Sequence, residues 1–225
     1  MREDRKEKAK HLKEAFLRSC LDKKSPSFSL LDLGKFSLPQ LEEAGVAEAE
    51  LDLRLLIQEA FSLDTKDYLL RKREAVSSFC PSEALDSALT RFFSFLALRL
   101  QRIPLSQILG RQEFFGLSFL VNENVLSPRQ DTECIVERIL LEEEKINEKQ
   151  LSVLDLCTGS GCIGLALAKH LPCHKLLLLD KSREALEVAK ENYRRLFLEQ
   201  EDTAKSPEEE DFTEQSKGAS VYFLE

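Results

Sequence analysis

Three glycines fall within six residues in Asp155-Leu-Cys-Thr-Gly-Ser-Gly-Cys-Ile-Gly164, and Asp180 follows 21 residues past the first of them. Glycine is used where the backbone needs positive φ or close approach, so the cluster predicts a loop shaped around a ligand. Gly159-x-Gly161-x-x-Gly164 alone is a weak signal. The order strand, glycine loop, helix, strand, acid makes it stronger, because ligands of such sheets sit at the carboxyl ends of parallel strands. Asp180 is suited to accept hydrogen bonds from both hydroxyls of a ribose. Asp155 selects among adenosine ligands. A carboxylate at that strand end repels a pyrophosphate placed on the following helix N-terminus and favours a cationic ligand. S-adenosylmethionine carries an ammonium and a sulfonium and no phosphate. The residues therefore predict an adenosine-plus-cation site, with a methyl donor as its natural occupant.

The elements that position this loop follow from periodicity. Leu151–Leu156 reads as an apolar strand, Ile163–Leu171 as a helix ended by Pro172, and Lys175–Leu179 as a second strand ending at Asp180. Ser182 caps a helix carrying Ala185, Leu186, Ala189 and Tyr193, and Ser220–Leu224 forms a third strand. Strand–helix–strand–helix–strand is half of a doubly wound sheet. Upstream, Asp131 or Thr132 starts a helix, and Glu113–Val121 alternates about Gly116 as a hairpin, the alternation starting at Ser106. The first hundred residues predict helices over 3–23, Leu38–Ala44, 47–62, 65–77 and 82–102, with N-caps at Asp64-Thr65 and Ser82, and Pro104 closing the last. The fold class is thus α/β: a helical bundle over 1–104, a β-hairpin connector over 105–125 and a Rossmann-like domain over 126–225.

The 225 residues carry 40 acids against 32 Lys+Arg, a net charge of -8. Eight acids and one lysine lie between Glu199 and Glu214, so one polar loop holds -7 of that charge. The remainder is close to neutral and has no basic stripe, which argues against direct nucleic-acid binding. No apolar stretch approaches the roughly 20 residues of a membrane helix, and the charged N-terminus has no signal-peptide core. Six cysteines are too sparse for a disulfide scaffold, which predicts reduced thiols in the cytoplasm. Cys157, Cys162, His170, Cys173 and His174 lack paired metal-ligand spacing, and no metal is assigned. Arg71-Lys-Arg73 reads as a solvated face, and Phe92, Phe93 and Phe95 as core.

Four motifs occur in order: Leu100-x-Arg102-x-Pro104-Leu-x-x-Ile-Leu-Gly110, Glu113-Phe-x-Gly-Leu-x-Phe119, Val125-Leu-x-Pro-Arg-x-x-Thr-Glu133 and Leu154-Asp-Leu-Cys-Thr-Gly-Ser-Gly-Cys-Ile-Gly164. Together they resemble the HemK/PrmC-type release factor glutamine methyltransferases. The resemblance implies that the helical domain engages a peptide chain release factor. It implies that the second domain, from S-adenosylmethionine, methylates the side-chain amide of the glutamine in the factor's Gly-Gly-Gln motif. It places Cys157, Thr158, Gly159, Ser160 and Gly161 around the methionine moiety and Asp180 on the ribose, and it implies a monomer. Pro128-Arg129 and Thr132-Glu133 match a segment near the pocket without a separate role.

Cys157 stands where the family has glycine, and Gln130 replaces a proline. The family's Asn-Pro-Pro-Tyr segment does not occur. The expectation is a truncated chain that keeps the binding determinants without a complete catalytic site, so no catalytic residue is named. Two other readings remain at this point: a methyltransferase acting on the exocyclic amine of adenine in nucleic acid, and a non-catalytic module that binds the donor or a partner.

Overall fold

A computed structural model of the chain describes residues 2–21, 27–146, 151–198, 215–216 and 219–224, which fall into two units, Met1–Leu109 and Gly110–Glu225. The acidic segment 199–214 and residues 22–26, where the first helix is expected to end, lie outside the described residues.

The first unit is helical. Helix α1 spans Arg2–Leu21 and α2 spans Leu30–Glu43. The sequence predicts only the second half of α2, from Leu38. The earlier half exists because Ser29 and Asp32 form a reciprocal capping box: Ser29 Oγ accepts the Asp32 N–H, and the Asp32 carboxylate accepts the Ser29 N–H. Leu30, Leu33 and Leu41 then bury one face against α3, Ala49–Phe61.

Helix α4, Thr65–Arg71, opens on the expected Asp64 cap but stops short of the expected residue 77. Tertiary backbone bonds compete for that stretch: the Leu31 N–H donates to Lys72 O and the Val76 N–H to Phe28 O. Helix α5 runs over Ser82–Arg99, with Pro81 rather than Ser82 in the capping position. Pro104 opens a helix as well as following one. Its carbonyl accepts from Gln107 and Ile108, starting the short α6, Leu105–Leu109, where the sequence predicts alternation.

The core of the unit centres on Phe16, with Phe28, Phe36 and Phe93 at ring distances of 5.0, 5.4 and 5.8 Å. Phe92 and Phe93 are fully buried, as core packing requires. The buried Asp52 pairs with Arg99 at 2.6 Å, and Arg99 also donates to Ile103 O, fixing the exit from α5.

The second unit is α/β. Strands β1, Arg111–Phe114, and β2, Leu117–Leu120, form the expected hairpin. Its turn residues Phe115 and Gly116 both take positive φ, 50° and 71°, the twist that a two-residue hairpin needs. After a 3-10 turn at Gln130–Thr132, α7 spans Glu133–Ile146. Then come β3, Leu151–Leu156; α8, Cys162–His170; β4, Cys173–Leu179; α9, Arg183–Tyr193, ending in a π-turn over Arg194–Leu198; β5, Gln215–Ser216; and β6, Ala219–Leu224.

The sheet order is β3-β4-β6-β5, with β3, β4 and β6 parallel and the short β5 antiparallel to β6. Leu156 pairs with Leu179 and Leu179 with Leu224, so the carboxyl ends of the parallel strands are flush. That register brings the glycine loop and Asp180 side by side at the carboxyl end of the strands. Leu165, Ala166, Leu176, Leu178, Ala189 and Tyr193 form the core beneath them. Among the described residues no helix is long and apolar enough to cross a membrane.

Candidate functional site

The site is built where β3 and β4 end. The Thr158 N–H donates to Leu179 O, tying the loop to the neighbouring strand. Thr158 Oγ1 donates to Asp155 Oδ2 at 2.7 Å, and the Gly164 N–H donates to the same oxygen at 3.0 Å. Asp155 thus sits on the first turn of α8 as its resident anion. Gly164 is required by this contact. A Cβ there would lie 3.0 Å from Asp155 Oδ2 and 2.6 Å from a Leu178 methyl.

Asp180 closes the other side. Its Oδ2 accepts the Gly159 N–H at 2.9 Å, and its Oδ1 accepts the Ser182 N–H at 3.0 Å, while Ser182 Oγ caps α9 through the Ala185 N–H. The Gly161 N–H returns to Thr158 O, and Gly161 at φ 80° turns the chain into α8. All seven residues singled out from the sequence therefore gather at the carboxyl ends of β3 and β4: Asp155, Cys157, Thr158, Gly159, Ser160, Gly161 and Asp180. Thr158 and Ser160 are buried, and Cys157 is exposed. Cys157 takes φ 59°, a conformation that costs a non-glycine residue about 1–2 kcal/mol and that glycine would adopt freely.

The two carboxylates feel one another. Burial pushes the Asp155 carboxyl above the usual aspartate range; the hydrogen bonds from Thr158 and Gly164 pull it back, and the charge of Asp180 pushes it up again. The folded state therefore holds this proton more tightly than the unfolded chain does. Stability falls as pH rises from the ordinary aspartate range through the raised value and is level beyond it. Asp155→Asn keeps an oxygen for both donors and removes the charge. In denaturant titrations over a pH series, the variant should gain on the native protein as pH rises through that window. A difference that does not change with pH would show that burial does not govern this group.

Two residues complete the surroundings. Glu133 Oε1 accepts the Phe115 N–H at the hairpin turn, which gives the Thr132-Glu133 motif a structural task. Asn192 of α9, absent from the sequence expectations, reaches both the hairpin and the glycine loop. The signal was present: an asparagine, a poor helix former, falls in register with Ala185 and Ala189 on an apolar face. His170 faces Ala166 O and packs edge-on against Phe115, and Cys173 donates to Lys175 O. Among the described residues no three His, Cys, Asp or Glu side chains gather as a metal site.

The chain matches the PrmC N-terminal domain over residues 37–110 and the methyltransferase small domain over residues 130–217. It is similar to release factor glutamine methyltransferases from several bacteria. Identity to that of Flavobacterium psychrophilum is 50% over 90 residues, covering 40% of this chain and 32% of the relative. For Borreliella burgdorferi it is 43% over 97 residues, covering 43% and 33%. For Moorella thermoacetica it is 37% over 160 residues, covering 71% and 53%. The matched chain spans about a third to a half of these relatives' length. The helical domain, the hairpin, the glycine loop and both domain matches follow one another in a single order, and in that order the chain is similar to the HemK/PrmC-type methyltransferases.

Proposed function

We propose that the chain binds S-adenosylmethionine at the carboxyl ends of β3 and β4. Its function is then methylation of the side-chain amide of the glutamine in a release factor's Gly-Gly-Gln motif, in the cytoplasm. The observation that supports the donor is the placement of Asp155. Its carboxylate already satisfies the Gly164 N–H on the first turn of α8. A phosphate seated there would displace it and meet its charge, whereas an ammonium gains from it. The residues present fit a cationic adenosine ligand.

Asp180 uses one bond per oxygen within the protein, and a carboxylate has about four acceptor positions, which leaves capacity for both ribose hydroxyls. Cys157, Thr158, Gly159, Ser160 and Gly161 would frame the methionine moiety, with glycine allowing close backbone approach. The donor supplies a methyl group on a sulfonium. The chain's own part is to hold that ligand in one orientation and to shield it from water, which is positioning rather than acid–base work. No side chain is assigned a catalytic role. The release factor enters through the names of the relatives and the match to their N-terminal domain.

Calorimetry tests the donor half. S-adenosylmethionine and its demethylated product, S-adenosylhomocysteine, should each bind one-to-one, and NAD should not. No heat with either would overturn the assignment. In a mixture of release factor, DNA and RNA with labelled donor, any label transferred should lie on the factor's glutamine; label on adenine amines would overturn the substrate.

A further inference from the structure

Asn192 stands on the buried face of α9 beside Val188, Ala189 and Tyr193, with 1% of its surface exposed. A buried amide is costly unless each of its polar atoms finds a partner. Here Oδ1 accepts the Leu120 N–H at 2.6 Å, and Nδ2 donates to Leu120 O at 3.0 Å and to Ser160 O at 2.9 Å. The side chain therefore pairs with the last residue of β2 as a neighbouring strand would. With its other hydrogen it grips a carbonyl inside the glycine loop.

That carbonyl is a sensitive point. Ser160 lies between Gly159 and Gly161, at φ 56° and 80°, and glycine imposes little orientation on the peptide next to it. The direction of the Ser160 carbonyl must be imposed from outside the loop, and Asn192 is placed to impose it. The hairpin is held independently at its other end by the Phe115–Glu133 bond.

We propose that Asn192 is a positioning residue that seats the glycine loop from the hairpin. It carries the place of Leu120 onto Ser160, and through Ser160 onto the backbone that frames the donor. Its effect on donor binding rests on the function proposed above; the clamp itself does not.

The test compares Asn192→Leu with Val136→Ala. The leucine keeps similar bulk but leaves the Leu120 N–H and the Leu120 and Ser160 carbonyls without the amide. Val136 is fully buried in the same core and offers neither segment a hydrogen bond, so its truncation reports lost stability alone. Amide hydrogen exchange is read on the unliganded proteins, and S-adenosylhomocysteine affinity by calorimetry, both at a temperature where each protein stays folded.

Asn192→Leu should speed exchange at Leu120 and across Gly159–Gly161 about tenfold more than elsewhere in the sheet, and should weaken S-adenosylhomocysteine about tenfold. Val136→Ala should lower protection evenly and leave affinity near that of the native protein. An exchange profile for Asn192→Leu as even as that of Val136→Ala, with affinity unchanged, overturns the proposal. If the native protein takes up no S-adenosylhomocysteine, the donor reading fails and the exchange profile alone decides the clamp. If Asn192→Leu does not fold, the native protein supplies the reciprocal measurement. Coupling acts both ways, so S-adenosylhomocysteine must slow exchange at the Leu120 amide, and no slowing overturns the proposal.

Discussion

Asp180→Asn should weaken S-adenosylmethionine binding about a hundredfold while lowering stability by only about 1–2 kcal/mol. The affinity loss follows from the charge. Two ribose hydroxyls donating to a carboxylate are charge-assisted bonds, each contributing about 1.5–3 kcal/mol, and a neutral amide offers one weaker acceptor in their place. The stability loss follows from the contacts seen without ligand. Asp180 accepts the Gly159 N–H on one oxygen and the Ser182 N–H on the other. Asparagine can keep one of these, and its NH2 then faces the other donor. Calorimetry with the donor and a denaturant melt separate the two effects. An affinity within about threefold of the native protein would remove Asp180 from the ribose.

Gly161→Ala should be the more damaging change to the fold, costing about 2–5 kcal/mol. Part of this is backbone: φ is 80°, where a Cβ costs about 1–2 kcal/mol. The rest is space. An added Cβ would lie 2.9 Å from a Leu165 methyl and 3.3 Å from the Ala189 Cβ. Leu165 is fully buried and Ala189 has no rotamer to change, so the overpacking adds about 1–3 kcal/mol. Gly159→Ala is the matched comparison. It shares the positive φ, 56°, but meets nothing within 4 Å, so only the backbone cost of about 1–2 kcal/mol applies. Chemical denaturation of the pair reads the difference directly. Equal losses would show that packing against α9 does not constrain the loop.

The α/β half was more legible than the helical half for a definite reason. Leu151–Leu156, Asp180 and Ser182 announce themselves through local chemistry: an apolar run, an acid at its neighbour's end, a cap. The structure forms the strand, the strand end and the cap at those residues, with Leu154 and Leu156 of the run left exposed. The hairpin about Gly116 was equally plain. In the helical half, tertiary contacts override local signals. Pro39 sits inside α2 because the Ser29–Asp32 box and the packing of Leu33 and Leu41 outweigh the donor it lacks. Helix α4 ends early because a bridge between Ser29 and Ala75 takes the backbone that would have continued it. In the site, the glycine loop and both acids were readable from spacing. Asn192 shows in the sequence only as an asparagine on an apolar helix face; its task was not legible, because its partners are backbone atoms of Leu120 and Ser160, which leave no mark in a sequence.

The loop's internal bonding bears on the entropy of recognition. The N–H groups of Thr158, Gly159, Gly161 and Gly164 each have a protein acceptor before any ligand arrives. Loops rich in glycine lose much conformational freedom when they order, commonly at the moment of binding. Here that loss is incurred when the chain folds. A ligand meets a cradle already in one shape, and little of its binding energy goes to arranging the backbone around it.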